Sequence, residues 1–460
     1  WKTPEQNQTL LYKKNQNKTM NPKHIALTLI ILSAILISGC TGREDYDDTP
    51  TNTIQDMEGV YYGGPEDDNG TPTADDSGAT AEGVNAVISA NNQFAFDLYS
   101  RYKDDPKYKE SNIFFSPYSI STALAMTYEG AKGQTAEEMQ SVFHFPGDSV
   151  IRRPAFANIY NGINKEEQEY SLSTANALWA QENYPFLDEY FNTTEKYYGG
   201  KVTNLDFRNA PEPSRLTINS WVEDKTNDKI KDLIPSGTID ASTRLVLTNA
   251  IYFKGDWALK FDKDKTKESD FRVSPSNTVK VQMMSLTGED AKFNYAQADG
   301  LQILELLYEG NELSMLVLLP EEDDISSLEN ELDSEKLDGW KGMLRERQIN
   351  VYMPKFRFET KYFMEKDLAG MGMPTAFTAG ADFSGMTGKK DLYIDQVIHQ
   401  AFVEVDEEGT EAAAATVVGM RVTSAAMLDV FRADHPFIFI IQQKDTGNIL
   451  FMGKVMDLAE

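Results

Sequence analysis

The segment Glu407–Thr416, EEGTEAAAAT, constrains this chain more than any other. It lies between two strand-like stretches, Val397–Val405 and Phe437–Gln442. Four consecutive alanines favour a helix and are poor strand formers, yet nothing around them gives a helix an apolar face. No proline occurs from Gly409 to Arg421, so the backbone keeps every donor that a central strand needs. Read as a strand, Thr410, Ala412, Ala414, Thr416 and Val418 share one face, and Glu411, Ala413, Ala415 and Val417 share the other. The first face is small and uncharged, so it fits over an existing core without overpacking it. Glu407 and Glu408 precede it, and Gly409 reads as a hinge because glycine tolerates unusual φ/ψ. From composition alone, a small-residue linker or a short helix is an equally open reading.

The chain carries 44 Lys and Arg against 72 Asp and Glu, a formal net charge of −28. Such a balance disfavours nucleic-acid binding through phosphates. Cys40 is the one cysteine, so no intrachain disulfide forms. Residues 20–40 read as a processing signal. Met20 and Lys23 precede the apolar run Ile25–Ile37, which is shorter than the ~20 residues of a membrane span. Ile37-Ser38-Gly39-Cys40 then resembles a prokaryotic lipobox. This predicts a lipidated Cys40 and a protein held on the outer face of the cell membrane, or secreted. Residues 1–19 lie upstream of that signal. Residues 41–83 are rich in Asp, Glu, Gly, Thr and Pro and poor in aliphatic residues, which predicts an acidic disordered tether.

Residues 84–460 read as one domain of the α+β class, with helices and strands mixed without strict alternation. Apolar spacing predicts helices over Val84–Tyr102, Ser116–Met126, Leu187–Tyr197, Ser214–Thr226, Ile325–Leu332 and Ser334–Met343. Thr135 with Glu138 predicts a capping box opening a helix to Phe143. Strands are predicted over Leu172–Trp179, Arg244–Phe253, Val279–Met284, Leu301–Leu307 and Leu313–Leu319. The strand Ile349–Phe358 carries Pro354, which suggests an edge or a bulge.

Catalytic signatures are absent. The four histidines are His24, His144, His399 and His435. No HExxH, GxSxG or metal-spaced Cys–His pattern occurs, and no phosphate-cradling glycine loop. No metal or other cofactor is expected. A Ser-His-Asp triad is spatial and is not excluded by sequence.

Several separated motifs carry a specific resemblance. These are Asn112–Met139 (NIFFSPYSISTALAMTYEGAKGQTAEEM), Leu245–Trp257 (LVLTNAIYFKGDW), Asp395–Thr416, Phe431–Ile441 (FRADHPFIFII) and Ile449–Val455 (ILFMGKV). In order and spacing the chain resembles the serpins, a family of protease inhibitors. The resemblance implies three β-sheets, about nine helices and a central sheet able to accept the reactive loop as an extra strand. It implies an extracellular, monomeric suicide inhibitor that traps a serine or cysteine protease as a covalent acyl complex. A polar cluster at the place where the sheet opens maps to Ser116, Ser119, Asn249 and His399, and Trp257 maps to the top of the opening. Family spacing from Gly409 puts the reactive bond at Thr423-Ser424. Counting back from FRADHPF gives Ala425-Ala426, and Arg421-Val422 and Met427 remain alternatives. About 14 inserted residues at ~3.3 Å each give ~45 Å of travel. Some family members act instead as binding or chaperone modules, usually with bulky, charged or proline-containing hinges.

Overall fold

The structure is a computed structural model that describes residues 73–165, 169–410 and 429–459. Helix α1 (Ala81–Asp104) is capped by Thr80, whose hydroxyl accepts from Gly83 N. Of the acidic tether expected over 41–83, residues 73–83 are ordered instead, while 41–72, like the upstream residues 1–19 and the signal 20–40, lie outside the described residues. Ala74 N donates to Asn161 Oδ1, Asn161 Nδ2 donates back to Ala74 O, and Asp75 pairs with Lys196. Polar composition did not reveal that this segment is fastened side chain to backbone.

Strand β1 (Ile113–Phe115) leads into α2 (Pro117–Tyr128). Ser116 caps α2 and Pro117 fills its first turn, where no donor is missed. Helix α3 (Gly133–Phe143) lacks the expected capping box. Thr135 Oγ1 instead accepts from Asp382 N, and Glu138 accepts from Thr375 N and Oγ1. A distant loop outcompetes the helix's own start. Helix α4 (Ser149–Ile163) has no counterpart among the predicted elements, because Pro154 lies inside it and removes a helical donor.

Then come β2 (Tyr170–Gln181), α5 (Asp188–Tyr198), β3 (Lys201–Leu205), α6 (Pro211–Lys225) and β4 (Leu245–Asp256). Five strands follow: β5 (Lys267–Ser274), β6 (Asn277–Leu286), β7 (Lys292–Ala298), β8 (Leu301–Leu307) and β9 (Leu313–Pro320). Helices α7 (Ser326–Glu331) and α8 (Ser334–Met343) precede β10 (Arg345–Pro354) and β11 (Phe356–Phe363). Pro354 neither bulges a strand nor marks an edge. It ends β10, whose second half has β6 on one side and β14 (Asp429–Arg432) on the other. Helices α9 (Glu365–Met371) and α10 (Ser384–Thr387), then β12 (Val397–Val405), β13 (Gly409–Thr410), β15 (Phe437–Gln443) and β16 (Ile449–Val455) complete the described elements.

One sheet runs β11-β12-β4-β2-β3, with β13 added beside the end of β4. A second path runs β1-β16-β15-β9-β8-β7-β10-β6-β5. It divides at β10, whose Arg345–Gln348 pair with β7 and whose Val351–Pro354 pair with β6. The result is the expected α+β fold with three sheets. Ten α-helices are present among the described residues, α10 being a single turn.

The first sheet separates two cores. Leu247, Ile251 and Phe253 of β4 face the large one, together with β15 and β16. Ala250 and Tyr252 face the smaller one, under Ile218 and Val222 of α6. Between α2, α4 and α5 sits an ionic cluster. Buried Glu129 accepts from Arg152 at 2.9 Å, Arg153 at 2.8 Å and Tyr198 OH at 2.6 Å. Glu129→Gln leaves Arg152 buried without its counter-charge. It is expected to lower stability by about 3 kcal/mol, read as a fall in the urea midpoint.

Candidate functional site

In the middle of the first sheet β4 and β12 run parallel, with Leu247–Tyr252 opposite Val397–Phe402. Asn249 and His399 stand directly across from each other, and both are buried. Ser116 N donates to His399 Nε2 at 3.1 Å. That nitrogen is therefore an acceptor, and the ring proton sits on Nδ1 and is donated to Asn249 Oδ1. Asn249 Nδ2 donates to Ser119 Oγ (2.7 Å) and Asn176 Oδ1 (2.9 Å). Ser119 Oγ donates to Asn176 Oδ1 (3.0 Å), and Ser116 Oγ donates to Leu450 O (2.6 Å). The cluster closes on itself, as buried polar groups must.

Sequence reasoning missed Asn176, which faces Asn249 from β2. The signal was an Asn-Ala step within an apolar strand, present in both TANALWA and TNAIYF. Burial, against the weaker effect of Asn249, lowers the His399 pKa from 6.5 to about 3, so the ring is neutral in the fold.

Above this cluster β4 and β12 diverge, and β13 occupies the gap. Gly409 and Thr410 pair antiparallel with Asp256 and Gly255. Glycine at 409 allows a close backbone approach, and its φ is not positive. A Cβ there would clash with the carbonyl oxygen of Gly255. Thr410 Oγ1 meets Tyr308 OH at 3.0 Å, and burial keeps that phenol protonated.

Trp257 holds the same turn. Its backbone N donates to Glu408 O (2.6 Å) and its indole Nε1 to Asp406 O (3.0 Å), while its ring stacks on Tyr308. Two buried carboxylates complete the attachment. Glu407 takes Lys355 Nζ at 2.6 Å and Thr266 Oγ1 at 2.7 Å. Glu408 takes Lys263 at 2.9 Å and Lys260 at 3.6 Å. Burial alone would raise the Glu407 pKa, but Lys355 and Thr266 outweigh it and hold it below 4.5. Lys355 and Tyr308 were not legible, because each comes from a connection remote in sequence, between β10 and β11 and just after β8.

The family profile described as "Serpin (serine protease inhibitor)" matches residues 89–458. The chain belongs to the serpin family. A serpin-like protein of Methanosarcina acetivorans is 44% identical over 374 residues, spanning 80% of this chain and 87% of the relative. The leukocyte elastase inhibitor of Bos taurus is 40% identical over 376 residues, spanning 80% of this chain and 98% of the relative. The solved structure of a cleaved, loop-inserted ovalbumin mutant has a TM-score of 0.73 and 33% identity, covering 81% of this chain and all of its own.

In this serpin, Glu407, Glu408, Gly409 and Thr410 are described and buried. Glu411–Thr416, Arg421, Val422, Thr423, Ser424, Ala425, Ala426, Met427 and Cys40 lie outside the described residues. No group of three or more metal-ligating side chains occurs among the described residues.

Because the fold lowers the His399 pKa, unfolding takes up a proton between pH 6.5 and about 3. Stability contributed by this site is complete above 6.5 and is lost on acidification through that window, by about 1.4 kcal/mol per pH unit. His399→Gln is expected to remove that component, read as a shallower pH dependence of the urea midpoint between pH 4 and 6.5.

Proposed function

We propose that this serpin is a suicide inhibitor of serine proteases, with cysteine proteases as a second target class. The observation that carries this reading is the seat of Gly409–Thr410, antiparallel to β4 and at the head of the parallel β4–β12 seam. Continued downward, that register would set Ala412 opposite Phe253, Ala414 opposite Ile251 and Thr416 opposite Asn249. All of these lie on the face of the large core, where a small side chain is required. Glu411, Ala413 and Ala415 would fall opposite Lys254, Tyr252 and Ala250, on the face beneath α6. One parallel ladder would be exchanged for two antiparallel ones, which are the more stable pairing per residue.

The chemistry belongs to the target. Its nucleophilic oxygen or sulfur attacks the carbonyl carbon of the reactive bond, Thr423-Ser424 in this reading. The C–N bond breaks, the amine leaves with a proton, and an acyl-enzyme remains. The freed segment then continues the strand that Gly409–Thr410 begins and carries the esterified protease with it. Insertion must outrun hydrolysis of the ester, which is why the inserting face is small. The similarity to the leukocyte elastase inhibitor supports inhibition, and the loop-inserted ovalbumin structure supports insertion on this fold.

Thr410→Arg places a charge where Thr410 is buried against Tyr308. It is expected to turn the inhibitor into a substrate, with at least tenfold less detergent-stable complex per loop cleaved. Complex formation at wild-type stoichiometry with elastase-like, subtilisin-like and trypsin-like enzymes would overturn the reading.

A further inference from the structure

Beside Trp257 lies a cavity of about 90 Å³ between the segment after β4 and strands β7, β8 and β10. Trp257, Leu259 and Phe293 give it apolar walls, and Asn294, Glu305 and Glu346 give it polar ones. Glu305 is buried, at 6% exposure. Its Oε2 accepts from Asn294 Nδ2 at 2.7 Å.

What sets Glu305 apart is its missing counter-charge. Among the described residues, the buried charged side chains Arg152, Arg215, Asp367, Glu407, Glu408 and Lys454 each hold an ion pair. Glu305 holds none, although Lys292 lines the same cavity. One amide hydrogen bond holds a single oxygen of this carboxylate, and the other oxygen keeps access to solvent and to a cationic ligand.

The lining carries two carboxylates and one ammonium, so it selects against anions. Two carboxylates beside a lysine also make a poor shell for a divalent metal, which takes six or more oxygens. The volume is large enough for several waters, which suits a few carbon atoms and one charged head.

We propose that this cavity is a binding site for a small primary amine, its ammonium on Glu305 and its short aliphatic stem against Trp257 and Phe293. The site is separate from the reactive loop, and the proposal does not depend on whether the protein inhibits a protease. Trp257 makes it observable, because the indole lines the cavity.

The test uses the full chain with n-butylammonium as probe and n-butanol as its uncharged counterpart, read by calorimetry and tryptophan fluorescence. Saturable 1:1 binding of n-butylammonium is expected, at least tenfold tighter than n-butanol. Glu305→Gln keeps an acceptor for Asn294 and is expected to weaken the amine at least tenfold, leaving n-butanol unchanged. Leu259→Trp, at a partly exposed position on the cavity wall, is expected to abolish binding by filling the space, and serves if the first variant fails to fold. Equal affinity for amine and alcohol, an unaltered affinity in either folded variant, or no saturable binding to the wild type would overturn the proposal.

Discussion

Everything in this molecule is arranged around one line of hydrogen bonds, the parallel pairing of β4 with β12. Parallel ladders have slanted bonds and are slightly less stable per residue than antiparallel ones. Here the parallel pair lies in the middle of a sheet with cores on both faces. Its upper end is already parted by Gly409–Thr410, in the orientation that a further antiparallel strand would take. Backbone pairing alone is nearly neutral for such a strand. Up to two bonds of about 1 kcal/mol per residue oppose an ordering cost of about 1–2 kcal/mol. The proposed mechanism therefore requires a driving force beyond backbone pairing, such as tighter packing once the strand is in place.

The polar cluster fits the same logic. An apolar seam opened by force leaves voids, whereas hydrogen bonds are exchangeable for others. His399, Asn249, Ser119 and Asn176 form such a set at mid-seam, each satisfied by a neighbour. The turn leading into β13 is held by charge instead. Lysines from two separate segments meet the buried carboxylates of Glu407 and Glu408, in a chain whose overall charge is strongly negative. Burying two adjacent carboxylates without those cations would cost several kcal/mol. The same rule makes the unpaired Glu305 conspicuous.

Much of this was legible in sequence because the signals were local. The period of α1, the Ser116-Pro117 start of α2 and the apolar runs of β4, β8, β9 and β12 all depend on neighbours a few residues apart. The remainder depended on contacts between distant segments. Thr135 and Glu138 have the spacing of a capping box but serve the loop Pro374–Asp382. Pro154 argues against a helix that tertiary packing nevertheless builds. Gly409 reads as a hinge, and its close approach to the carbonyl of Gly255, over 150 positions earlier, is not visible in sequence. Asn176 gains its role only when β2 lies beside β4 in register.

The most direct test is amide hydrogen exchange of residues 411–418 in protein nicked once within 417–427. If the freed segment becomes a strand between β4 and β12, those amides exchange as slowly as the amides of β4. Exchange at the rate of an unstructured peptide, with the β4–β12 pairing unaltered, would contradict the account.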